Sequence, residues 1–123
     1  MAWLVEFHGE FEPEFTALAA AVQDEILALA TVLAEFGPQL GRPHADTLKG
    51  SKFANMKELR LSADNGEWRV AFAFDLKRHA VLLCAGDKSG GSEKKFYKTL
   101  IKKADRRFAS HQTSLSGGER RSR

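Results

Sequence analysis

A single cysteine among 123 residues excludes a disulfide within the chain and any zinc cluster built on several thiolates. Cys84 lies in the apolar run from Ala80 to Ala85, so a buried structural thiol is expected rather than a nucleophile. No apolar run approaches the roughly 18 residues that a membrane span needs. No cationic segment precedes an apolar core at the N-terminus, so the expected location is the cytoplasm, with no membrane partner. The GxxxxGK[ST] spacing of a phosphate loop is missing, as is HExxH. His8, His44, His79 and His111 are scattered along the chain, which gives no metal-ligand spacing, and neither a metal nor a cofactor is expected. A nucleophilic triad and internal repeats are likewise missing.

Basic residues are also nearly missing from the first part of the chain. Residues 1–48 hold eight acids and one base, Arg42, whereas residues 49–123 hold eighteen bases and eight acids. The balance of −7 against +10 hides behind a net charge of +3. The C-terminal cations are interleaved with Phe53, Trp68, Phe96, Tyr97 and Phe108, the pattern of a folded polyanion-binding surface. The acids Glu6, Glu10, Glu12, Glu14, Asp24 and Glu25 read as the solvated side of helices, or alternatively as a docking surface for a partner.

The length suits one domain with one core. Trp3, Val5 and Phe7 alternate with polar neighbours as a half-buried strand does. From Pro13 to Phe36, Phe15, Leu18, Val22, Ile26, Leu29, Leu33 and Phe36 recur at helical spacing, and Gly37-Pro38 stops the pattern. Asp24 is a possible cap of a second helix, so one bent helix and a helical pair both fit. Residues 37–55 read as a structured loop. Met56 to Leu61 and Trp68 to Phe74 are strands joined by the turn Asp64-Asn65-Gly66-Glu67. In the second of them Arg69 shares a face with Ala71 and Ala73, which predicts an arginine open to a ligand. Ala80 to Ala85 is apolar enough for a central strand. From Ser92 the chain is an amphipathic helix with Lys94, Lys98, Lys102 and Arg106 along one side, and residues 112–123 have too little to bury to order themselves.

The available chemistry rests on Lys49, Lys52, Lys57, Arg60, Arg69, Lys88, Lys95 and Lys98, with Tyr97 beside them. RNA cleavage by its own 2′-hydroxyl needs alignment, neutralisation of phosphoryl charge, and proton transfer. Arginine suits the second task through its planar fork, and lysine or tyrosine in a positive field can move protons. Taken singly, each of these residues reads first as a plain phosphate contact or surface charge.

The blocks Lys57-Glu58-Leu59-Arg60, Trp68 to Asp75, Leu82 to Gly90 and Lys94 to Asp105 together resemble the RelE/HigB family of toxins from bacterial type II toxin-antitoxin modules. The resemblance covers Trp3 to His111. It implies an α+β domain over residues 1–111: an N-terminal strand and helical pair, an antiparallel three-stranded segment completing a small twisted sheet, and a basic C-terminal helix. Residues 112–123 would follow as a disordered basic tail. The implied activity is a ribosome-dependent mRNA endoribonuclease, held inactive by a helix-turn-helix antitoxin. By position, Arg69 would hold the scissile phosphate, Arg60 and Lys57 would form a second layer of RNA contacts, and Lys49 would act from the loop before that strand. Lys88 and Tyr97 match the polar residue ending the last strand and the aromatic group that stacks on a base or assists proton transfer. The catalytic set is thus Arg60, Arg69, Lys88 and Tyr97, with Lys49, Lys52, Lys57, Lys95, Lys98 and Lys102 binding RNA. Several members carry a histidine or glutamate at the acid/base positions, whereas here Gly86 to Leu100 offers Asp87, Glu93, lysines and Tyr97. The similar ParE scaffold, a gyrase poison acting by protein contact, and a non-catalytic RNA-binding module are the alternatives.

Overall fold

The computed structural model of the protein describes residues 2–121. The elements run β1 (Leu4–Phe7), α1 (Phe11–Thr16), α2 (Ala20–Phe36), a 3-10 turn (Gly37–Gln39), β2 (Ala45–Thr47), β3 (Met56–Ala63), β4 (Gly66–Phe74), β5 (His79–Asp87) and α3 (Glu93–Arg121). Five strands form one sheet in the order β1-β5-β4-β3-β2, with β1 parallel to β5 and the remaining pairs antiparallel. The α+β class and the helical pair agree with expectation.

Period-two alternation along the strands divides the core into two layers. Val70 and Phe72 of β4, Leu59 and Leu61 of β3, and Ala80 and Leu82 of β5 pack with Phe11, Phe15, Val22, Ile26, Leu29 and Leu33 of α1 and α2. Ala71 and Ala73 of β4, with Met56, Val81 and Leu83, face Leu100, Ala104 and Phe108 of α3. The small residues that leave one face of β4 shallow therefore make room for a helix.

The hairpin turn between β3 and β4 is tight because Ala63 pairs with Gly66, and Asp64 and Asn65 take φ of 50° and 60°. Both central residues of a type I′ turn need positive φ, which Asp and Asn tolerate best after glycine. A bulge in β5 follows from the register: Ala71 pairs with Cys84 but Phe72 with Leu82, so Leu83 is the extra residue. Its carbonyl accepts instead from Arg107 Nη1 at 2.8 Å.

Three expectations are corrected. The break between the helices falls at residues 17–19, not at Asp24, because the Gln23 side-chain amide donates to the carbonyls of Thr16 and Leu18 and ties the two helices together. Residues 37–55 contain β2, a three-residue edge strand too short to show a period. The described span of α3 runs on through residues 112–121, since extending a helix costs far less than nucleating one. The last two positions, 122 and 123, lie outside the described residues. Finally, Arg69 is not open to a ligand: it is 4% exposed.

Candidate active site

On the α3 face of the sheet, Glu58 occupies the centre of a charged network although it is 4% exposed. β3 turns Glu58 and Arg60 to the same side, and β3–β4 pairing sets Arg60 directly opposite Arg69. Arg60 Nη1 donates to Glu58 Oε2 at 2.7 Å, and Tyr97 Oη, reaching down from α3, donates to Glu58 Oε1 at 2.8 Å. Arg69 Nε stands 4.0 Å from the same Oε1, while its Nη1 donates to the Trp68 carbonyl at 2.9 Å and lies 3.9 Å from Glu67 Oε1. A buried arginine beside a buried carboxylate is mutually neutralising, yet Arg69 Nε makes no hydrogen bond among the described residues.

Above Glu58 an open concavity of about 400 Å³ is lined by Lys49, Arg60, Lys88, Glu93 and Tyr97, with Arg42 and Asp46 at its rim. Each side chain is set by a definable local device. The loop carrying Lys49 is pinned to α3 by Asp105, whose carboxylate accepts from the Ser51 hydroxyl and, at 3.0 Å, from the Lys52 backbone N–H. Lys88 is fixed by its own N–H donating to the Glu67 carbonyl at 2.8 Å. The turn after it is held by Asp87, which accepts from the backbone and hydroxyl of Ser89; those bonds keep its carboxyl below the usual range. Gly86, paired with Arg69, has Phe96 so close that a Cβ there would stand 2.8 Å from the ring, so α3 can approach the sheet only over glycine.

The cations are largely paired. Lys88 Nζ donates to Glu93 Oε1 at 2.7 Å, which holds the Glu93 carboxyl below its ordinary range, and Arg42 bonds Asp46 at 2.9 Å. Burial, followed by the bond to Glu58, pushes the Tyr97 hydroxyl above its ordinary value of 10.0. Tyr97 is consequently a proton donor at neutral pH rather than a phenolate.

Of the residues singled out from sequence, Lys49, Arg60, Lys88 and Tyr97 line one concavity, and Arg69 lies beneath it, reached from a neighbouring recess that it shares with Arg60. Lys52 and Lys102 line a different groove beside Phe53, and Lys95 a third beside Phe96 and Gly86. Lys98 is exposed on α3. Lys57 is separated from the rest: it alternates with Glu58, pairs with Phe72, and faces the side of the sheet that α2 covers. Glu58 was missed as a site residue, because a glutamate between lysine and leucine in a strand reads as solvent-facing until the register sets it beside Arg69. Three of the acids of the N-terminal part, Glu6, Glu10 and Glu14, are also explained. Glu14 pairs with the buried Arg107, Glu10 with Arg106 and Arg107, and Glu6 with His79 and His111, so the opposite charges of the two parts meet across the fold. His79 and His111, distant in sequence, are thereby neighbours.

A family model described as "Phage derived protein Gp49-like (DUF891)" matches residues 13–109. The chain belongs to this family, within the RelE/HigB-like toxins. It is 47% identical over 87 residues to the Mycobacterium tuberculosis protein named "Putative toxin HigB2", of which it spans 43%, less than half of that relative's length. It is 38% identical over 109 residues to "Putative toxin HigB3" of the same organism, covering 89% of this chain and 93% of HigB3. Among solved structures, a mutant of the Escherichia coli toxin RelE in the free state shares the fold at a TM-score of 0.59 and 13% identity, covering 82% of this chain and 95% of RelE. A chain of the archaeal RelE-RelB complex from Pyrococcus horikoshii does so at 0.53 and 19%, covering 74% of this chain and all of the other. Among the described residues no helix of this RelE/HigB-like chain is long and apolar enough to cross a membrane.

Proposed function

We propose that this chain is the toxin of a type II toxin-antitoxin module and cuts mRNA on the ribosome by attack of the 2′-hydroxyl on the adjacent phosphate. The observation that carries the reading is the gathering of Lys49, Arg60, Lys88 and Tyr97 around one concavity over a buried carboxylate. Arg60, 21% exposed at its side chain, meets the phosphoryl oxygens with a planar fork. As the 2′-oxygen attacks phosphorus, Tyr97 Oη takes its proton while passing its own phenolic proton to Glu58 Oε1 along the 2.8 Å hydrogen bond. As the bond from phosphorus to the 5′-oxygen breaks, the Lys88 ammonium, released from Glu93, supplies a proton to that oxygen. Arg69, too buried to touch substrate without rearrangement, acts as a positioning residue beside Glu58, its Nε 4.0 Å from Oε1. Lys49 steers the backbone into the concavity, and Lys52, Lys95, Lys98 and Lys102 extend the positive field over α3.

The partner in this reading is a cognate antitoxin, supported by the RelE-RelB complex that shares the fold; the ribosome and mRNA complete the set. The test is to add the purified chain to ribosomes translating a defined mRNA and to map the new ends. Expected are 5′-hydroxyl ends within the codon being decoded, reduced at least about 100-fold in Arg60→Ala. DNA breaks formed with gyrase, or intact mRNA bound in a salt-sensitive manner, would overturn the proposal.

A further inference from the structure

At the opposite end of β4 from Arg69, about 20 Å away along the strand, four potential metal ligands from three parts of the chain face one another. Asp75 follows β4, His79 opens β5, Glu6 lies in β1 and His111 in α3. His111 Nε2 is 2.9 Å from Asp75 Oδ2 and 3.9 Å from Glu6 Oε1. His79 Nδ1 is 3.1 Å from Glu6 Oε1 and 3.9 Å from Asp75 Oδ2. Donor atoms of Glu6, Asp75 and His111 all lie within 4.8 Å of one another. Bonds of about 2.0–2.1 Å to a tetrahedral ion separate neighbouring ligand atoms by about 3.3 Å. Four of the six edges straddle that value and the two long ones among them need to contract by about half an ångström, while His79, outside the cluster of three, must swing towards His111 to complete the set.

The surroundings also suit an ion. Asp75 Oδ1 accepts the backbone N–H groups of Lys77 and His79 at 2.8 and 3.0 Å, which orients the carboxylate and leaves Oδ2 facing the imidazoles. The His111 ring stacks on Phe108 with planes 17° apart, limiting its rotation. Asp75 is 1% exposed at its side chain, whereas Glu6, His79 and His111 are 41%, 25% and 15% exposed, so an ion can enter from solvent into a partly desolvated site. Two imidazoles and two carboxylates without a thiolate favour zinc over calcium or magnesium.

We propose that Glu6, Asp75, His79 and His111 form a zinc-type divalent metal site. The ion would clamp β1 and the β4–β5 turn to α3, a structural role independent of the reading of the active site.

The test uses the full chain, freed of any affinity tag and stripped with chelator, titrated with Zn²⁺ by calorimetry and with Co²⁺ by visible absorption. Expected are one ion per chain, the strong absorption of tetrahedral cobalt, and affinity at least about tenfold weaker in His111→Gln and His79→Gln. His44→Gln, on the other side of the molecule, should bind as the parent does. Glu6→Gln, at a partly exposed position, supplies the same readout should the histidine variants fold poorly. No saturable uptake by the parent chain, or equal uptake by the His111, His79 and Glu6 variants, would overturn the site.

Discussion

Removing the charge of Glu58 tests the electrostatic arrangement on which the candidate active site depends. In Glu58→Gln the side chain keeps its shape, but Arg69, 4% exposed, loses the carboxylate nearest its Nε and retains only the half-exposed Glu67 at 3.9 Å. Breaking a buried pair from one side costs about 3–5 kcal/mol. The glutamine oxygen can still accept one bond, and Arg60 is partly solvated, so the expected loss is about 2–4 kcal/mol. Tyr97→Phe removes one hydrogen bond to a charged acceptor, about 1.5–3 kcal/mol in general and nearer the lower figure here because Tyr97 is half-buried. Since one variant weakens and the other removes the same 2.8 Å contact, the double variant should be less destabilised than the sum, with a coupling of about 1–2 kcal/mol. Urea unfolding of the four proteins, with unchanged denaturant slopes, measures it. Additivity within about 0.5 kcal/mol would refute the network.

Lys57→Ala should cleave mRNA within about twofold of the parent, because its side chain lies across the sheet from Arg60 and Tyr97; a loss matching that of Arg60→Ala would contradict the assigned face. Arg107→Ala should lower stability by about 2–4 kcal/mol in urea unfolding, since it orphans the Leu83 carbonyl at the bulge and removes the partner of Glu14. The Glu14 carboxyl is held below its ordinary 4.5, chiefly by the hydrogen bond from Arg107. A depressed folded-state value stabilises fully above the unfolded value and is lost as pH falls through the folded one. The stability gap between parent and Glu14→Gln should therefore persist at pH 6 and close as pH drops below about 4.5. Burial pushes the Cys84 thiol up to about 12, so thiol reagents at pH 8 should label it only when the protein unfolds; rapid labelling of the native chain would contradict the packing under α3.

The secondary structure was largely legible because it is written in local periods. Alternation exposed β1, β3 and β4, helical spacing exposed α2 and α3, and Asp64-Asn65 announced the hairpin. What failed was anything decided by partners far away in the chain. β2 exists because β3 offers an edge, and Arg107 is buried because a bulge in β5 frees a carbonyl. Arg69 looked open because its neighbours Ala71 and Ala73 are small, yet small residues equally admit a helix, and α3 fills the space.

The amino-acid order by itself determined the elements, the shallow and bulky faces of β4, and the supply of cations without a cysteine-based or motif-based metal site. Only the tertiary structure decided which cations share a concavity, that Glu58 lies beneath them, and that Glu6, Asp75, His79 and His111 converge. Local periods are short-range properties of a helix or strand, whereas the pairing of charges from β1, β3, β5 and α3 depends on strand register and helix docking. Those are fixed by burial of the whole core, and no window of sequence contains that information.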